Sequence, residues 1–144
     1  MSARNAAPPK TALVVSSDLQ ALTGFQSALT SSGYVTIIAR DLPTALLSIT
    51  QHYFDVAIVA SRLGEGGDGW PLAGVLHLVF PRAFIAVLTP GDPDVVTFQA
   101  AINNGVTEIY EQSRRPADIV SSIAAQNSAA PSGGSKGSGS ETVQ

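Results

Sequence analysis

The sequence contains no cysteine, and among its 144 residues there are only two histidines, one tryptophan and one methionine. The absence of cysteine excludes disulfide bonds, thiolate metal ligands and a thiol nucleophile. His52 and His77 are too few and too far apart along the chain to indicate a zinc site. We expect both histidines to be exposed helix residues, and these absences argue against several classes of enzyme and metalloprotein.

Charged residues are also scarce, making up 13% of the chain and giving a net charge of −3. This composition argues against electrostatic binding to nucleic acid or to an anionic membrane. No unbroken apolar run approaches the ~20 residues of a membrane span, and no apolar core of a signal peptide follows Arg4 and Lys10. We therefore expect a soluble, cytoplasmic protein with no nucleic-acid partner and no membrane partner.

The composition divides the chain into one folded domain, predicted over residues 10–126, and two flanking segments. Residues 1–9 predict a flexible lead-in. From Asn127 onward Gly, Ser, Ala and Pro dominate, and such a segment buries too little apolar area to become ordered. Residues 127–144 are therefore predicted to form a disordered tail.

Within the domain, short apolar stretches alternate with helical patterns five times. The run DVAIVA, residues 55–60, contains five consecutive apolar residues and predicts a strand that is buried on both faces. The remaining strands are predicted at 11–15, 34–39, 83–88 and 106–111. Aspartates are predicted to cap the first four helices, namely Asp18, Asp41, Asp68 and Asp92.

In the fourth helix, Val95, Phe98 and Ile102 form an apolar stripe at helical spacing. Strands that alternate with helices favour right-handed crossovers and a parallel sheet. We predict an α/β, doubly wound, flavodoxin-like fold with five parallel strands in the order 2-1-3-4-5 and five helices.

The residue at the end of the central strand is Ala60. Ligands of open parallel sheets bind beyond the carboxyl ends of the strands, and a methyl group there cannot bind a metal, accept a phosphoryl group or move a proton. Ser16, Ser17 and Ser61 near the same edge suggest a hydrolase, but there is no G-x-S-x-G motif and no histidine after a strand. We therefore predict that the protein is not an enzyme and needs no cofactor.

Residues 11–126 resemble the receiver domain of two-component response regulators. The resemblance is carried by the order and spacing of five motifs: ALVVSSD (12–18), GYVTIIARDLPTAL (33–46), FDVAIVASRLGEGGDG (54–69), AVLTP (86–90) and NNGVTEIYEQS (103–113). It implies the flavodoxin-like fold. For a complete receiver, it also implies phosphoryl transfer to an aspartate with the help of magnesium.

The resemblance also implies which residues occupy the family's phosphorylation site. The acidic pair after the first strand corresponds to Ser16 and Ser17, and the phosphorylated aspartate to Ala60. The hydroxyl residue is retained as Thr89, whereas the lysine corresponds to Gln112. Magnesium favours carboxylate ligands, and a phosphoryl group would lack its charge-assisted lysine contact. We therefore predict a degenerate receiver, or pseudo-receiver, that binds no magnesium.

Two functions remain open. The first is a phosphorylation-independent adaptor in bacterial signalling or regulation, which binds a protein partner or a second copy of itself. The resemblance implies a contact face on the fourth helix, fifth strand and fifth helix: Val96, Asn103, Tyr110, Ser113, Arg115 and Ile119. On this hypothesis, Tyr110→Asp abolishes partner binding without unfolding the domain. Trp70 either anchors a partner or packs on its own domain.

The second function is a sensor of a small ligand, such as a nucleotide or another metabolite. The ligand would bind in the vacated pocket or at Arg114 and Arg115, because guanidinium groups suit phosphate. The alternative for these two arginines is that they are solvated charges at the start of the last helix. Arg62 is expected to have a surface or loop role.

Overall fold

The computed structural model describes residues 9–64 and 67–129 and contains one parallel sheet with the strand order β2-β1-β3-β4-β5. The strands are β1 (Thr11–Val15), β2 (Val35–Ala39), β3 (Val56–Ala60), β4 (Phe84–Thr89) and β5 (Glu108–Glu111). The helices are α1 (Leu19–Ser31), α2 (Leu42–Gln51), α3 (Trp70–Val79), α4 (Val95–Asn103) and α5 (Pro116–Ala129). The predicted fold class, strand order and number of helices are confirmed.

The sheet separates two apolar layers, because successive side chains of a strand point to opposite faces. On one face, Ala57 and Val59 of β3 pack with α2 and α3. On the other face, Val56 and Ile58 pack with α1 and α5. Every residue of β3 is buried, as the apolar run predicted, and every residue of β4 is buried as well. Full burial of a Val, Leu or Ile side chain contributes about 1.5–3 kcal/mol.

Helix α4 departs from this arrangement. Only Ala101 of α4 is buried, whereas Val95, Phe98 and Ile102 are exposed. The stripe predicted at these three positions therefore faces outward rather than into the core. Helix α4 turns its alanines inward and its larger apolar side chains outward, a choice that helical periodicity alone does not decide.

Aspartate caps position the helices that follow β1 and β2. The Asp18 carboxylate accepts a hydrogen bond from Gln20 N at 3.0 Å, and the Asp41 carboxylate accepts one from Thr44 N at 2.9 Å. The hydrogen bond from Thr44 N is the largest cause that lowers the pKa of Asp41. Both predicted caps are confirmed.

The start of α4 differs from the prediction. Asp94, rather than Asp92, caps the helix and accepts a hydrogen bond from Thr97 N at 2.9 Å. Pro93 therefore precedes the helix instead of occupying its first turn. The same hydrogen bond from Thr97 N is the largest cause of the lowered pKa of Asp94.

The flanking segments predicted for residues 1–9 and 127–144 lie largely outside the described residues. Pro9 is described and exposed, and residues 127–129 continue α5 beyond the predicted domain boundary at residue 126. Between residues 9 and 129, excluding 65 and 66, no helix is long and apolar enough to cross a membrane.

Candidate functional site

The carboxyl ends of the parallel strands bring the predicted site positions together at one edge of the sheet. Ser16 directly follows β1, Ala60 ends β3, and Thr89 ends β4. Gln112 follows β5, and its backbone N donates a hydrogen bond to Thr89 O at 2.8 Å. The sequence therefore placed these positions on the correct edge, because each ends or follows a predicted strand.

The hydroxyl groups at this edge bind nearby backbone. Ser16 is buried, and its Oγ accepts a hydrogen bond from Asp18 N at 3.1 Å. Thr89 is also buried, and its Oγ1 donates to Gly91 O at 2.8 Å. Ser17 is exposed, and Ala60 presents a buried methyl group. In the described part of the chain, no cluster of His, Cys, Asp and Glu is suited to hold a metal ion.

The loop after β3 folds back onto the strand end through Gly69. Its backbone N donates a hydrogen bond to Ser61 O at 2.9 Å. An ideal Cβ on Gly69 would lie 2.1 Å from Ala60 O and 2.9 Å from Val59 Cγ1. Only glycine permits this approach. Gly69 therefore has a second role in addition to its position at the start of α3. Asp68 accepts a hydrogen bond from Trp70 N at 2.9 Å, although Gly69 is the residue that directly precedes the helix.

Two clefts open at this edge of the sheet. The larger, with a volume of about 720 Å³, lies between the start of α1 and the β5–α5 loop, and Ser17, Ala60 and Gln112 are among its lining residues. The smaller, of about 320 Å³, lies between the β3–α3 and β4–α4 loops and includes Thr89. Arg62 lines both clefts. The positions that the resemblance assigns to the family's phosphorylation site are thus divided between two cavities.

Charged groups of both signs surround these clefts. The pKa of Glu111 is raised, chiefly by a side-chain hydrogen bond with Asp92 and then by the negative charge of that carboxylate. Arg114 lies 5.4 Å from the centroid of the Tyr110 ring, which is within the range of a cation–π contact. Arg115 forms an ion pair with Asp118 at 3.3 Å.

The predicted partner face is exposed only in part. Val96, Asn103, Ser113 and Arg115 are exposed, but Tyr110 is 4% exposed and Ile119 is fully buried. These two residues cannot belong to a surface that a partner contacts directly, because both lie in the layer that α5 forms with the sheet.

Tyr110 is held by polar contacts as well as by packing. Its hydroxyl lies 3.0 Å from Ser122 Oγ and accepts a hydrogen bond from Gln126 Nε2 at 3.3 Å. Tyr110→Asp would place a carboxylate in this buried layer, so we expect the change to destabilise the domain rather than to leave it folded.

Other side chains that the sequence singled out can now be placed. His52 and His77 are exposed, as predicted, but only His77 lies in a helix, because α2 ends at Gln51. Trp70 is half-buried and packs against the apolar layer of α2 and α3, so it contributes to its own domain. Of the exposed apolar residues of α4, sequence reasoning placed only Val96 at the surface and missed Val95, Phe98 and Ile102, although residues 95–107 contain no charged side chain.

Comparison with solved structures supports the fold described above. Neither a protein-family model nor a curated protein sequence matches the chain. A receiver domain protein (CheY-like) from Methanospirillum hungatei JF-1 is 20% identical with a TM-score of 0.77, and the match covers 88% of this chain and 100% of that one. The signal receiver domain of an HD domain-containing protein from Pseudomonas fluorescens Pf-5 is 25% identical with a TM-score of 0.74, covering 87% of this chain and 99% of that one.

A third solved structure is a response regulator from Burkholderia pseudomallei that contains a phosphorylated aspartic acid, a calcium ion and citrate. It is 23% identical to this chain with a TM-score of 0.70, and the match covers 82% of this chain and 72% of that one. The chain therefore has the fold of response regulator receiver domains, which are modules of two-component signalling.

Proposed function

We propose that this protein is a pseudo-receiver that acts without phosphorylation, as an adaptor that binds another protein in bacterial signalling or regulation. The observation that carries this proposal is the apolar outer side of α4. Val95, Val96 and Ile102 are 78%, 75% and 78% exposed, and Phe98 is 51% exposed. We call these four residues the α4 surface.

The α4 surface has the features of a protein contact site. Contiguous exposed apolar groups commonly mark sites of protein–protein interaction, and the α4 surface gathers four such side chains on nine residues of helix. Residues 95–107 carry no charge, so a partner could cover this region without burying an unpaired ion. This revised surface keeps Val96 from the predicted face and replaces the buried Tyr110 and Ile119.

Independence of phosphorylation is supported by the chemistry of the strand ends. The Burkholderia neighbour carries a phosphorylated aspartic acid, whereas the resemblance assigns the corresponding position here to Ala60. Ser16 and Thr89 direct their hydroxyl groups to nearby backbone. The exposed Gln112 has no positive charge with which to neutralise an acyl phosphate.

Addition of magnesium with beryllofluoride tests the first part of the proposal. We expect no saturable change in the amide chemical shifts of Ser17, Ala60 or Thr89, because Ala60 offers no carboxylate to the beryllium. Magnesium alone is the control for weak surface binding of the cation. Saturable shifts at these three residues that require beryllofluoride would show that the phosphorylation chemistry is retained.

Native pull-down from the source cells, read by mass spectrometry, tests the adaptor role. The full chain is compared with Val96→Asp/Ile102→Asp and with the control Leu47→Asp, which changes a 58% exposed side chain on α2. We expect a protein captured by the wild type and by the control to be lost with the double variant. All three proteins should remain folded by circular dichroism, because exposed substitutions usually change stability by about 0.5 kcal/mol or less.

Light scattering on the same proteins distinguishes a second copy of the chain from a different protein. A wild-type dimer that becomes a monomer only in the double variant would identify the partner as another copy. Equal capture by the wild type and the double variant would exclude the α4 surface as the contact site.

A further inference from the structure

Positive charge gathers around the larger cleft, although the chain as a whole is acidic. The chain has eight Lys and Arg residues and a net charge of −3, yet Arg62, Arg114 and Arg115 all line this one cleft. All three are exposed. Their proximity across two loops that are distant in sequence creates a local positive potential that the net charge does not reveal.

Among the described residues, few negative groups oppose these arginines. Asp18 is the one carboxylate that the described residues contribute to the lining, and it accepts the capping hydrogen bond from Gln20 N. The pKa of Glu111 responds chiefly to Asp92, which lines the smaller cleft, and only to a lesser extent to the charge of Arg114. The Arg115–Asp118 ion pair has side chains that are 80% and 50% exposed, and so exposed a pair is too weak to withhold Arg115 from a stronger anion.

Neutral hydrogen-bonding groups complete the polar end of the cleft. Ser17, Gln112 and Ser113 are exposed and line it together with the three arginines. The strand-end positions that resemble the acidic pair and the aspartate of receivers are here Ser16, Ser17 and Ala60. No carboxylate at these positions repels a negatively charged group. The same residue types that leave the strand ends without cation ligands therefore make them compatible with an anion.

The remainder of the cleft is apolar and closely packed. Ala21, Gly24 and Phe25 of α1 face Pro116 of α5 across it. A Cβ on Gly24 would lie 2.8 Å from Pro116 Cγ, so the two helices approach closely and close the base of the cleft. Its volume of about 720 Å³ lies within the range of small-molecule sites, which combine apolar walls with a few polar groups.

From this combination we infer that the larger cleft binds a small molecule that carries a phosphate group and has an apolar or planar body. The phosphate contacts the guanidinium groups of Arg62, Arg114 and Arg115, because this group suits paired hydrogen bonds to phosphate. The body of the ligand lies along the α1 side, over Ala21 and Phe25. This inference does not depend on the adaptor role, since the α4 surface lies outside the cleft.

Titration of the full-length, ¹⁵N-labelled protein tests the inference. The probes are AMP, ribose 5-phosphate, inorganic phosphate and adenosine, which separate the phosphate group from the planar body. We expect AMP to cause saturable shifts in the Ser17 and Gln112 amides and in the arginine side-chain N–H signals. Adenosine should cause none, and the AMP affinity should fall as the salt concentration rises.

Charge-matched variants locate the site. Arg114→Gln/Arg115→Gln should weaken AMP binding roughly tenfold or more, because it removes two charge-assisted contacts. Arg62→Gln provides a second variant that leaves the cation–π contact of Arg114 with Tyr110 in place. The control is Arg82→Gln, an exposed arginine just before β4 at the opposite edge of the sheet, which should leave the affinity unchanged.

Three results would overturn the inference. The first is the absence of saturable shifts with AMP, ribose 5-phosphate and inorganic phosphate up to about 20 mM, a range that covers even weak millimolar binding. The second is equally tight binding of adenosine. The third is equal weakening by Arg82→Gln, which would indicate attraction to overall charge. Loss of anion binding with intact partner capture would leave the adaptor proposal standing.

Discussion

Gly69 lies where the loop after β3 approaches the backbone of Ala60 closely. An added methyl group would meet Ala60 O at 2.1 Å and Val59 Cγ1 at 2.9 Å, and backbone atoms cannot yield as a flexible side chain can. We predict that Gly69→Ala destabilises the protein by about 2 kcal/mol or more. Urea unfolding followed by circular dichroism measures this change.

Gly91 provides the matched control for Gly69, since the same methyl group would have no heavy atom within 4 Å. Gly91→Ala is therefore expected to be neutral or to stabilise by up to about 1 kcal/mol, through the lower entropy of the unfolded chain. Equal effects of the two substitutions would refute the argument from the close approach of Gly69 to Ala60.

Single residues also show where sequence reasoning succeeded and where it did not. Ala60 could be placed at the end of a central strand because an apolar run buried on both faces has clear ends. The burial of Tyr110 was missed because β5 is short, and in so short a strand the pattern does not say which face is covered by a helix. Ile119 was misplaced for a related reason, since only the packing of α5 decides which side chains face the sheet.

Among the helices, α4 is the one with the fewest buried residues. Its single buried residue is Ala101, and its N-terminus depends on the Asp94 cap. The sequence predicted the helix and its periodicity, but the stripe could equally face the core or a partner. The direction in which the stripe faces is decided by the shape of the neighbouring α3 and β4. No local sequence pattern predicts that shape.

The Asp94 cap makes the stability of α4 dependent on pH. Its hydrogen bond from Thr97 N lowers the pKa of Asp94 below the usual value of 3.8. A carboxyl group whose pKa is lower in the folded state stabilises that state above its unfolded pKa, and this contribution is lost as the pH falls through the folded pKa. We predict that Asp94→Ala increases hydrogen exchange of the α4 amides near neutral pH, and that the difference from wild type disappears in acid.

Hydrogen exchange at about pH 6 and at a series of lower pH values, corrected for the intrinsic pH dependence of exchange, measures this effect. Asp41→Ala is the control, because Asp41 caps α2 by the same kind of hydrogen bond while α2 also buries Ala45 and Ser48. The faster exchange should therefore spread further along α4 than along α2. A difference at α4 that persists in acid would show that the carboxylate charge is not responsible.

At the scale of the whole molecule, the two apolar layers share one sheet. Trp70 packs against the layer of α2 and α3, whereas circular dichroism reports on all helices. Because β1, β3 and β4 contribute side chains to both layers, neither layer can lose its strands while the other remains folded. We predict that Trp70 fluorescence and circular dichroism give coincident urea transitions, with a slope of about 1–3 kcal/mol per M.

The control for this comparison is Tyr110→Phe, which removes the contacts of its hydroxyl with Ser122 and Gln126 in the layer of α1 and α5. It should shift both transitions together, by about 0.5–1.5 kcal/mol. Separate midpoints for the two probes would show that the layers unfold independently.

The strand order itself was predictable from the alternation of elements and the resemblance to receivers, because the handedness rule leaves few topologies.

The pairing of α1 with α5 has a consequence for synthesis on the ribosome. The layer of α2 and α3 draws its buried residues from Leu13 to Val87, so all of them have been made when β4 is complete. The opposite layer needs Ile119, Val120 and Ile123 of α5, which emerge last. Until then, Val56 and Ile58 of the central strand lack part of their cover, and this face of the sheet is open to association with other chains. During synthesis there is thus an interval in which α1 has formed but lacks its packing partner α5.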